Sequence, residues 1–121
     1  MKYRLIKSSH DPDKFLTTPT RQVTADDDLS ELMNAMQIIC KQSEGVGISA
    51  NQVGSNLSVF LLLQPTETFY INPTIEVLDD TPEFFNEGCL SLPDQSVVTM
   101  RPRKIKLYSA NNEPKILEGS Y

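Results

Sequence analysis

Two short stretches of the 121-residue sequence hold the residue types best suited to chemistry. In Glu87-Gly88-Cys89-Leu90-Ser91-Leu92-Pro93 a cysteine sits beside a glycine at the end of an apolar run. As a thiolate such a residue is a nucleophile or a metal ligand, and as a thiol it is a small buried hydrophobe. In Gly45-Val46-Gly47-Ile48-Ser49-Ala50-Asn51-Gln52, glycines and small side chains leave the backbone open to close approach. No Lys-Ser or Lys-Thr pair follows and there is no third glycine, so a phosphate-cradling loop is excluded. The alternative is a helix end with glycine as its left-handed cap, followed by a turn. A cysteine nucleophile would need a base, and the single histidine, His10, lies in the polar arm Ser8-Ser9-His10-Asp11-Pro12, where it reads as a solvated turn residue. The other cysteine, Cys40, falls on an apolar helix face and reads as core.

The elements that must position these stretches follow from the hydrophobic pattern. Asp26-Asp27-Asp28 precedes Leu29, Leu32, Met33, Met36 and Cys40, a spacing that places five side chains on one face of a helix over about Leu29 to Ser43. Asp28 is placed to accept the first free N–H groups, Glu31 completes a capping-box-like pattern, and the acidic cluster suits the positive end of the helix dipole. Beyond Val53-Gly54-Ser55 come short β-branched and aromatic runs broken by Pro, Asn, Asp and Gly. They predict strands near Leu57–Leu63, Thr68–Asn72, Thr74–Leu78, Phe84–Glu87, Val97–Arg101, Ile105–Ser109 and Ile116–Glu118, the last pair joined by a turn through Asn111-Asn112-Glu113-Pro114. No helical pattern lies between them, so the class is α+β with antiparallel sheet. Met1 to Thr24 reads as an extended arm with turns that carries little chemistry.

Composition bounds the rest. The length fits one domain over residues 1–121, with about two-thirds of the unfolded surface buried. Eleven Lys and Arg against sixteen Asp and Glu give a net charge of −5, which disfavours a phosphate backbone as partner. The longest apolar run, Val59 to Leu63, is too short to span a bilayer, and the start Met1-Lys2-Tyr3-Arg4 leads into no secretory segment. The expectation is a cytoplasmic protein without membrane or nucleic-acid contact. Two cysteines in such different surroundings make no disulfide framework.

Taken together, Gly45 to Gln52 and Glu87-Gly88-Cys89-Leu90-Ser91 resemble the first two signature motifs of the peptide deformylase family, in order and at its approximate separation. The helix before the first motif and the strands between and after are similar to that family's layout, so the resemblance covers essentially the whole chain. It implies antiparallel sheets packed around a helix, and removal of the N-formyl group from the initiator methionine of nascent chains. It also implies a divalent metal, natively iron(II), with zinc or nickel possible. The family's ligands are a thiolate and two imidazoles, so Cys89 becomes the thiolate ligand. Gln52 and the Leu90 backbone N–H become the donors facing the formyl oxygen. Gly45 and Gly47 let a peptide lie against the loop as an added strand, Val46 lines the methionine pocket, and Glu87 supports the site from behind. Ser49 stands where the family commonly has alanine, a small-for-small exchange expected to cost little, and Ser96 stands where many members carry arginine.

The family's third motif, His-Glu-x-x-His on a helix, supplies both imidazoles and the general acid and base. It does not occur in these 121 residues. The reading is therefore a C-terminally incomplete deformylase-like domain that lacks the metal-binding helix, is inactive alone and holds metal weakly. The alternatives are a non-catalytic module that binds formyl-methionyl peptides or a protein partner, or a two-chain enzyme. A missing helix also predicts exposed apolar surface and self-association.

Overall fold

The computed structural model describes residues 3–11, 14–64, 66–89 and 91–118, with the side chains of 8, 85–89 and 92–97 left out of that description. Leu90 of the second motif is outside it. The helix α1 runs Ser30–Gln42 and buries Leu32, Ala35, Met36, Ile39 and Cys40. The buried stripe thus takes in Ala35 and Ile39, while Leu29 and Met33 stay half-buried at its margin. The predicted capping box is not built. Leu29 flanks the helix in helical backbone without a side-chain cap, and Asp28 instead accepts the N–H and hydroxyl of Ser30. Hydrogen bonding to Ser30 holds the Asp28 carboxyl below its ordinary pKa.

The other end of α1 sets up the first motif. The Glu44 N–H donates to the Lys41 carbonyl and the Gly45 N–H to the Cys40 carbonyl, which is the paired closure of a Schellman motif. Its left-handed residue is Glu44, with φ 57°, so the cap expected at Gly45 falls one residue earlier. The chain then enters β1, Gly47–Ser49, passes through a 3₁₀ turn, Ala50–Val53, and reverses at Gly54, whose φ of 97° favours glycine.

Two three-stranded antiparallel sheets follow among the described residues. The first has the order β1-β2-β3, with β2 at Val59–Leu62 and β3 at Thr68–Ile71. The strand β1 escapes the sequence pattern because three residues are too few to show alternation. Ile48, Ala50, Val53, Val59 and Leu61 from this region pack against the buried face of α1 to make the main core. The second sheet has the order β4-β5-β6, from Thr74–Cys89, Leu92–Ser109 and Asn112–Glu118. Four of the predicted strands are therefore halves of two long ones. The expected break at Asp79 to Pro82 is an irregularity within β4, where Pro82 faces Pro102 and the register shifts on the approach. Since β4 is an edge strand and its pairing slips there, the missing proline donors are accommodated.

Side-chain amides join the parts. Asn111 accepts from the Ile71 N–H and donates to the Phe69 carbonyl, so one side chain from the β5–β6 turn mimics a strand on the outer edge of β3. Asn72, left-handed at φ 51°, clamps Val23 of the arm in the same two-pronged way. The arm is also pinned by the Arg21–Asp27 ion pair at 2.8 Å. Phe84 and Met100 face each other across β4 and β5, and with Val98 they leave an apolar patch in which each is at least 65% exposed.

Two outcomes follow from these local features. Glu44→Gly removes a side chain from a left-handed position, and a urea midpoint raised by roughly 0.5–1 kcal/mol of stability is expected. An unchanged or lowered midpoint contradicts the strain. The Asp27 carboxyl lies well below its ordinary pKa, chiefly through its hydrogen bond to Arg21 and then the Thr24 N–H. A depressed folded-state pKa contributes stability above about pH 4 that fades as pH falls further. The stability gap between the unaltered protein and Asp27→Asn should therefore narrow below about pH 4 in urea titrations at stepped pH, and a constant gap would refute this.

Candidate functional site

Gln52 is the best-defined residue of the site. It lies in the 3₁₀ turn Ala50–Val53, whose position is fixed from both sides. The backbone of the arm donates from the Ile6 N–H to the Gln52 carbonyl at 2.7 Å and from the Arg4 N–H to the Val53 carbonyl at 3.3 Å. Asn51 donates its side-chain N–H to the Leu16 carbonyl at 3.0 Å. The arm thus braces the first motif through its backbone.

The orientation of the Gln52 side chain follows from its partners. Its Oε1 accepts the Ser49 N–H at 3.0 Å, and a backbone N–H can only donate. The opposite end is therefore Nε2, which donates to Ser91 Oγ at 3.1 Å. Ser91 is 4% exposed and belongs to the second motif, so this bond brings together two stretches 39 residues apart. The donor end of Gln52 consequently faces the second motif, the direction needed for a carbonyl held between them.

The other first-motif residues form a sheet edge. Val46 accepts from the Leu63 N–H at 2.8 Å, so in the antiparallel alternation the backbone groups of Gly47 point away from β2. No described strand pairs with that outer edge of β1. The Ser49 N–H, two residues on, points the same way and meets Gln52, placing the amide alongside the open edge. Val46 itself is 61% exposed and Gly45 is half-buried. A Cβ on Gly47 would lie 3.0 Å from Leu62 Cδ2 and 3.1 Å from the Leu61 carbonyl, so the need for glycine there arises from the approach to β2.

Cys89 is the last residue of β4 and pairs with Leu92, and Glu87 pairs with Val97. The side chains of Glu87 and Cys89, like the whole of Leu90, lie outside the described residues. Cys40 is buried in the core, and that burial pushes its thiol pKa up. His10 ends a 3₁₀ turn, Ser8–His10, in the exposed arm. Among the described residues no group of three His, Cys, Asp or Glu side chains is gathered to hold a metal. With one histidine in the sequence, a donor set of one thiolate and two imidazoles cannot be filled from these residues alone.

Ser49, read from the sequence only as a small-for-small exchange, and Asn51 and Ser91, given no individual role there, make the polar contacts around Gln52. The signal for the first was legible as Ser49-x-x-Gln52, the spacing of a capping box. The contact of Ser91 had none, because it spans two sheets. No described helix is long and apolar enough to cross a membrane.

Comparison with known proteins agrees with this geometry. The family model described as polypeptide deformylase matches residues 6–118. The peptide deformylase of Wolbachia sp. subsp. Drosophila simulans (strain wRi) is 35% identical, over 90% of this chain and 70% of its own. A probable peptide deformylase from Synechococcus phage S-SSM7 superposes with a TM-score of 0.82 at 27% identity, covering 97% of this chain and 84% of its own. The Thermotoga maritima enzyme superposes at 0.81 with 30% identity, over 97% and 82% of the two chains. A match that runs through the arm, the braced turn and both sheets leaves little of the fold unaccounted for: the chain belongs to the peptide deformylase family.

Proposed function

We propose that this chain supplies the peptide-binding and carbonyl-orienting part of a site that removes the N-formyl group from the initiator methionine of nascent polypeptides. The observation that carries the reading is the fixed amide of Gln52, tied through Oε1 to Ser49 and turned through Nε2 toward the second motif, beside the open edge of β1. An extended peptide added along Gly47 would bring its formyl carbonyl to the donor end of Gln52. In this reading Gly45 and Gly47 form the strand-like contact, Val46 lines the methionine pocket, the Leu90 N–H is the second carbonyl donor, and Glu87 supports the site. Cys89 is assigned as the thiolate ligand of a divalent metal, iron(II) by family. When bound, that metal supplies the activated water of the family's chemistry.

The 121 residues form one deformylase-like domain that we read as lacking the third motif, so that hydrolysis needs two imidazoles and a carboxylate from elsewhere. This assigns these residues a recognition role without turnover of their own, in the cytoplasm where nascent chains emerge. Calorimetry with formyl-Met-Ala-Ser and its unformylated twin tests recognition, together with formate release in the presence of iron(II), zinc or nickel. Preference for the formylated peptide with no formate released is expected. Equal binding of the two peptides sinks the recognition role, and formate release with stoichiometric metal sinks the claim of inactivity. Extending the chain with a helix bearing His-Glu-x-x-His should restore both metal retention and turnover.

The apolar patch of Phe84, Val98 and Met100 carries the reading that the chain also associates with copies of itself. Sedimentation should show a weight-average mass that rises with concentration and falls for Phe84→Ser/Met100→Ser. A clean monomer at all concentrations would contradict it.

A further inference from the structure

We propose that Ser49 is a positioning residue for Gln52, locking the side-chain amide with its donor end toward the second motif. This deepens the reading above and rests on it for its catalytic meaning. The observation is a reciprocal capping box around the 3₁₀ turn: the Ser49 hydroxyl accepts the Gln52 backbone N–H, while the Ser49 backbone N–H donates to Gln52 Oε1. The hydroxyl has one proton and two oxygen neighbours, Asn51 Oδ1 at 2.6 Å and Gln52 Oε1 at 3.1 Å. The shorter contact takes the proton. That fixes Asn51 with its oxygen toward Ser49 and its Nδ2 on the Leu16 carbonyl, so the hydroxyl couples the arm to the turn.

The consequence reaches Gln52 by two routes. Its backbone N–H, which opens the 3₁₀ turn, also lies against the Ser49 oxygen, and this contact helps hold the Gln52 Cα in place. Its Oε1 is pinned by the Ser49 N–H, which leaves Nε2 directed to Ser91. An alanine at this position keeps the second route and loses the first, together with the link to Asn51. Exchanging serine for alanine is therefore not the neutral swap that side-chain size suggests. Instead, the hydroxyl removes freedom from the amide before any peptide arrives, which is the condition for a donor to stabilise developing charge without reorganising.

The test uses Ser49→Ala and Ser49→Thr in the full chain. Threonine keeps the hydroxyl, and residue 49 borders a cavity of about 270 Å³ shared with Thr20, Phe60 and Pro73. The first readout is the Gln52 side-chain amide pair in ¹H–¹⁵N spectra, without ligand. Ser49→Ala should shift it and speed its solvent exchange while the Oε1 and Nε2 bonds remain, and Ser49→Thr should return it. The second readout is affinity for formyl-Met-Ala-Ser, expected to fall about five-fold in Ser49→Ala (~1 kcal/mol) with the unformylated peptide unaffected and Ser49→Thr restored. A purely structural cap would weaken both peptides alike. Unmoved Gln52 resonances in Ser49→Ala, or a folded Ser49→Thr that restores neither readout, overturn the proposal. If the unaltered protein does not distinguish the two peptides, the recognition reading falls. The spectra then decide the positioning alone: displacement by Ser49→Ala with return by Ser49→Thr upholds it.

Discussion

The hydrogen bond from Gln52 Nε2 to Ser91 Oγ is the constraint on which the site depends, because its two ends belong to parts of the chain that share no strand. Gln52 rides on a turn attached to the helix-covered sheet, and Ser91 lies at the tip of the long β4–β5 hairpin. With Ser91 4% exposed, removing the Gln52 amide takes a donor from a buried hydroxyl, a loss of about 0.5–1.5 kcal/mol. A bond of this kind fixes a relative position as well as adding stability. It ties the two motifs together and holds the donor end of Gln52 toward the second.

Side-chain carboxamides join several other parts of the molecule. Asn51, Asn72 and Asn111 each place an amide against backbone from another part of the chain, and in the last two the oxygen takes an N–H while the nitrogen serves a carbonyl. A side-chain amide has the same donor and acceptor pair as a peptide unit, so it can end a sheet edge or hold an arm where no strand is available. Asn111 does this for β3, covering an edge that would otherwise be open to pairing. The outer edge of β1 has no such cover among the described residues, and it runs past Gln52. The contrast between a covered edge and an open one gives the binding reading its physical content.

Much of this was legible in the sequence. The spacing of Leu32, Met36 and Cys40 defines α1, since burying one stripe of a helix leaves a 3.6-residue period. The β-branched and aromatic runs mark β2 and β3, and the turn residues near Asn111 mark the last hairpin. The family was recoverable from two short motifs, Gly45 to Gln52 and Glu87 to Ser91. Strand ends were less visible. Asp79-Asp80-Thr81-Pro82 has the composition of a loop, yet an edge strand whose register slips can hold it.

What the sequence determined by itself was the list of local preferences: which segments are helical or extended, which chemistry the side chains could perform, and that one histidine cannot provide two imidazoles. Only the tertiary structure decided that Glu44 and not Gly45 takes the left-handed turn, that the arm braces Gln52, and that Ser91 receives its amide. The reason is one of range. Periodicity and caps act over a few residues and are written in neighbouring letters, whereas the direction of an amide depends on groups that folding brings from 35 and 39 positions away.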